Sequence, residues 1–171
     1  PFSLAGIYVY IPLYPQTYFG VSIIFAGYFS TIIALSWSFG AIVTGSFKSD
    51  NWQSTFILMG AVGQFIGGML FFTGYYFDVL WLILFGLFIT GTSLGTCWAF
   101  VTQRIVTATS DGNEDLAASQ VPVVQTIATA LGAGIVGAVA SFNGLTEEIP
   151  SATILKAALL PVFSIGVLAS L

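Results

Sequence analysis

The chain has 171 residues, of which 57% are apolar and 6% charged, whereas soluble domains spend about a quarter of their residues on Asp, Glu, Lys and Arg. Three basic and seven acidic side chains cannot coat a water-soluble domain of this length, so lipid is the solvent for most of the sequence. The net charge of −4 leaves no phosphate-tracking surface and excludes nucleic acid as a partner. With no histidine and one cysteine, Cys97, the chain also lacks the groups for zinc, haem, an internal disulfide or Cys/His nucleophile chemistry.

The charges separate neutral runs at 1–47, 51–77, 79–103, 116–146 and about 149–171, the last interrupted only by Lys156. A membrane-crossing helix needs about 20 residues. The first run is long enough for two, with Pro12, Pro15 and Gly20 as the punctuation between them. The predicted spans are 2–18, 22–46, 52–76, 79–106, 115–142 and 151–171, which makes an all-α integral membrane protein, a bundle of six transmembrane helices. A β-barrel would need short segments of strict alternation, and the run at 79–89 (VLWLILFGLFI) is apolar on every side.

In chain order, the first span carries Tyr10, Tyr14 and Gln16 around its proline pair. The second holds small residues at four-residue spacing, Ser36/Gly40 and Ala41/Gly45, and the third holds Gly63/Gly67 with Gln64. Asp50 and Asn51 are placed to cap the third helix. Tyr75, Tyr76, Phe77 and Trp81 surround Asp78, as aromatic residues do at headgroup level. The fourth span has Gly91/Gly95. The acidic loop 110–115 (SDGNED) suits the positive end of the fifth helix, which carries Pro122, Ala130/Gly134/Ala138 and Ala133/Gly137. Small rows let helix backbones close in, within one bundle or across a dimer seam. Lys48 and Arg104 fall on one side of the zigzag and Asp78, Glu147 and Glu148 on the other, which places the Lys48/Arg104 side in the cytoplasm. Pro1 and the apolar ending 161–171 read as those of an excised piece, and the N-terminus has no signal-peptide pattern.

The stretch 10–16 (YIPLYPQ) with Gly20-Val-Ser22 and Ala26-Gly27, then 91–100 (GTSLGTCWAF), the acidic loop with 116–119 (LAAS), and 125–134 (QTIATALGAG) with Val136-Gly137 come in a telling order. That order resembles the C-terminal six-helix half of major facilitator superfamily transporters of the multidrug proton-antiporter type. The resemblance covers nearly the whole chain. One motif departs: family members often carry a glycine, an aspartate four residues on and several basic residues between the second and third helices. Here Gly45 is followed by Asp50, one place late, and by Lys48 alone among basic residues.

The resemblance implies a cavity lined by the first, second, fourth and fifth helices. The candidates there are Tyr10, Tyr14, Gln16, Trp37, Trp98, Thr102, Gln120 and Gln125, with Gln64 assigned to bonding within the bundle. No ionisable residue sits in mid-span, and Arg104 and Lys156 lie near helix ends where they can snorkel. A proton-titrating carboxylate is therefore expected in the N-terminal half that this sequence lacks. The wall that remains is aromatic and neutral, suited to a small amphipathic organic solute. The expected function is secondary active transport by alternating access, as proton-coupled efflux, in the cell (inner) membrane, with no cofactor, no metal and no enzymatic activity. Uptake of a metabolite and a non-transporting scaffold or assembly subunit are the alternatives; a membrane enzyme would need an intramembrane constellation that is not visible.

Overall fold

A backbone crossing lipid must satisfy its own N–H and C=O groups, and a helix does so within one segment. In the computed structural model, which describes residues 11–47, 52–108 and 114–142, every regular element is helical. The helices are α1 (Leu13–Tyr18), α2 (Ile23–Gly45), α3 (Gln53–Tyr76), α4 (Leu80–Thr107) and α5 (Glu114–Phe142). The last four are long and apolar enough to cross a bilayer. Residues 2–10 of the first predicted span, 2–18, and the whole of the last, 151–171, lie outside the described residues.

Local chemistry sets the ends. Pro15 sits in the first turn of α1, where its missing N–H would have had no intrahelical partner. Gly20 then takes φ +62, which breaks the path before α2. Ser22 caps α2, its Oγ accepting from the Phe25 amide at 3.4 Å. The helix α3 follows Trp52, which makes no side-chain cap bond, and Asp50 and Asn51, the expected caps, lie outside the described residues. At the other end of α3, the Val79 amide reaches back to the Gly74 carbonyl at 2.8 Å while Asp78 adopts φ +59. This is a Schellman closure with aspartate at the left-handed position.

The helix α4 is the centre of the bundle, packed along α3 on one side and α2 on the other. It runs antiparallel to α3: Gly60 meets Cys97, Gly63 meets Ser93, Gly67 meets Thr90, and Gly74 meets Ile83. It runs parallel to α2, with Gly91 against Ile33 and Ser36, and Gly95 against Trp37 and Ala41. Hydrophobicity gives no drive here, because lipid tails are as apolar as leucine; close backbone approach and van der Waals contact hold the helices together. Several hydroxyls within the spans bond back one turn, as Ser36 does to Ile32 at 2.7 Å and Thr44 to Gly40 at 2.9 Å.

Gly40, Gly63, Gly67, Gly91 and Gly95 therefore stand at helix contacts, whereas Gly45, Gly134 and Gly137 meet nothing within 4 Å among the described residues. Their places in the described fold account for this. Gly45 is the last residue of α2, and α5 touches α4 over only a short stretch.

Aromatic residues gather at both ends. Phe47, Trp52, Phe56 and Phe100 form one cluster, in which Phe56 and Phe100 stack at 5.6 Å. At this end Arg104 Nη2 donates to Ser54 Oγ at 2.6 Å, tying α4 to α3. Tyr14, Phe19 and Tyr75 form the opposite cluster. Between them, side chains such as Ile23, Ile42 and Leu58 are largely exposed, as lipid-facing residues are.

Candidate functional site

The side chains that α4 and α5 turn toward each other enclose a groove of about 350 Å³. From α4 come Trp98 and Ile105, two turns apart; from α5 come Ala117, Gln120, Val121, Val124, Gln125 and Ala128. The α5 residues follow the spacing of a single helical face. No lining residue is charged, and the two amides are the hydrogen-bonding side chains besides the Trp98 indole.

Trp98 is held from behind. Its ring meets that of Trp37 edge to face, with centroids 6.4 Å apart. Gly95, one turn before Trp98, lets the α2 backbone come close at Trp37. A small residue on α4 thus sets the approach of α2, and this approach orients the aromatic wall of the groove. On α5, Pro122 lacks the N–H that would bond the Ala118 carbonyl, a built-in weakness beside the groove. Pro122 itself lies on a different face, in a shallow hollow with Val123, Thr126 and Ile127.

The candidates divide accordingly. Trp98, Gln120 and Gln125 are brought together in the groove, and Trp37 supports it from the second layer. Thr102 lies on α4 between Trp98 and Ile105; its Oγ1 is buried with no hydrogen-bond partner among the described residues. Tyr14 is elsewhere: it is 3% exposed, packed on Tyr75, and its hydroxyl donates to Asp78 Oδ1 at 2.8 Å. Gln16 turns its amide back onto the Pro12 carbonyl at 2.8 Å. Tyr10 lies outside the described residues. Gln64, assigned to bonding within the bundle, has its Oε1 buried without a partner among the described residues.

Ile105, Ala117, Val121, Val124 and Ala128 were not among the sequence candidates. They carry no chemical signal, although helical spacing from Gln120 and Gln125 would have reached all four on α5.

Two relatives, each named "Probable multidrug-efflux transporter", from two strains of Mycobacterium tuberculosis, are 28% identical to the chain over 166 residues. The match covers 94% of this chain and 35% of each relative, so the chain spans about a third of the length of the relatives it matches. No protein-family model matches the sequence, and no solved structure matches it. With four long apolar helices among its described residues, the chain is a multi-pass helical membrane protein, distantly similar to proteins named as transporters.

Proposed function

We propose that the chain is the C-terminal six-helix half of a major facilitator superfamily transporter, one that exports a small amphipathic organic solute by proton-coupled alternating access. The observation that carries this reading is the uncharged groove between α4 and α5, with an indole wall and two amides. Such a surface holds a partly apolar molecule by stacking and by a few hydrogen bonds, and has nothing to neutralise a multiply charged one. The names of the distant relatives support the direction of transport, and the order of motifs along the chain supports the superfamily.

In this mechanism the bundle and its partner half rock about a site near the bilayer midplane. Trp98 and Gln125 contribute one wall. Proton coupling is assigned to the other half, because no carboxylate lies within the described spans at mid-depth. The protein performs no covalent chemistry on its substrate and resides in the cell (inner) membrane.

The test uses the full-length protein in cells. Trp98→Ala and Gln125→Ala are expected to change drug accumulation, each altering the apparent KM of efflux by about threefold or more, the scale of one lost contact, with unchanged abundance in the membrane. Unchanged kinetics in both variants would overturn the site, and a full-length protein that moves no solute down or against a gradient would leave a scaffold as the better description.

A further inference from the structure

We propose that Tyr14 and Asp78 form a releasable latch that pins the proline-bearing helix α1 to the α3–α4 turn. The helix α1 is a six-residue segment between Pro12 and Gly20, and it touches α2 only lightly. What anchors it is side chains: Ile11 and Tyr14, each 3% exposed, enter a cluster with Phe29, Ile33, Phe71 and Tyr75. The Tyr14 ring lies 4.2 Å from that of Tyr75, and its hydroxyl donates to Asp78 Oδ1 at 2.8 Å across 64 residues of sequence.

A second observation concerns Asp78 itself. It is the left-handed residue that closes α3, with φ +59, at a position where glycine meets no steric penalty. A carboxylate stands there instead, aimed at α1. Asp and Asn are the side-chain-bearing residues that best tolerate this conformation, so one residue both closes the turn and holds the helix. A hydroxyl-to-carboxylate bond is strong among apolar neighbours. Asp78 is nevertheless half-buried at a helix end, where water can replace the tyrosine. The bond therefore holds α1 down without making it permanent. That its release opens one end of the solute path rests on the transport reading above; the latch itself does not.

The test uses the full-length protein in lipid nanodiscs, with Cys97→Ser and Ile11→Cys so that a maleimide reports when α1 lifts from its cluster. Tyr14→Phe keeps the ring and removes the bond, and it is expected to raise the labelling rate about tenfold. Asp78→Asn keeps an acceptor and tolerates the turn, so its rate stays within about twofold of the parent. Asp78→Gly eases the backbone yet labels as fast as Tyr14→Phe, and the double variant is no faster than either single one. A folded, monodisperse Tyr14→Phe protein that labels at the parental rate would overturn the latch, as would additive effects of the two substitutions. Labelling needs no substrate, so the latch can fail while efflux stands, and efflux can fail while the latch stands.

Discussion

A Cβ placed on Gly95 would fall onto the Trp37 carbonyl and 2.9 Å from the Ala41 amide nitrogen, backbone atoms that cannot swing aside. Gly134, with the same spacing signal on α5, has nothing within 4 Å among the described residues. Gly95→Val is therefore expected to destabilise the full-length protein by roughly 1–3 kcal/mol, the usual cost of overpacking. Gly134→Ala should be neutral or should stabilise by up to about 1 kcal/mol, because alanine is the better helix former. Thermal unfolding in detergent distinguishes the two, and equal losses would mean that α5 is closed on that face as well. Gly95→Val should also weaken solute binding, since moving α2 moves the Trp37 ring that backs Trp98. The sequence marks both glycines alike. A small residue permits close approach but does not compel it, so only the packing tells the filled contact from the open one. The same holds for polar side chains: Tyr14, Gln16 and Gln125 read similarly as candidates, and the fold assigns two of them to contacts with Asp78 and Pro12 and one to the groove.

Of the elements, α5 differs most from its neighbours. Glycines of α3 and α4 interlock along almost the whole pair, whereas α5 meets α4 chiefly along the groove face. Pro122 sits level with the middle of that face but on another side of the helix, and leaves the backbone ladder incomplete. Pro122→Ala should restore the missing bond and stiffen the helix. The expected result is a higher melting temperature together with a turnover rate reduced roughly twofold or more, with KM little changed, if bending at the proline accompanies the exchange of states. Drug efflux in reconstituted vesicles reads the rate, and a variant that is more stable and equally fast would assign Pro122 to structure alone. The long helices were legible in the sequence because charges are confined to their ends: α2 to α5 occupy the neutral runs between the charged loops. Short α1 was less legible, since its bounds depend on Pro12, Pro15 and the turn at Gly20 rather than on hydropathy.

The chain matches about a third of the length of its distant relatives, and among the described residues the groove is walled by α4 and α5 alone. A second helical unit is expected to complete the cavity and to carry the titrating group. Replacing a membrane-embedded Asp or Glu of that unit by its amide should abolish accumulation driven by a pH gradient while solute binding to the full-length protein persists. Retained gradient-driven transport would move the coupling to another ion or site. Composition determined that these residues live in lipid, because ten charges cannot face water over this length, and apolar runs without alternation determined that they fold as helices rather than barrel strands. The positions of the charges determined where the long helices stop. Tertiary structure decided which small residues are contacts, which candidates share a groove, and that Asp78 holds Tyr14. Those choices depend on how helices of nearly uniform hydropathy rotate and approach one another. In lipid that is settled by side-chain shape and backbone proximity, quantities that a one-dimensional apolar pattern does not carry.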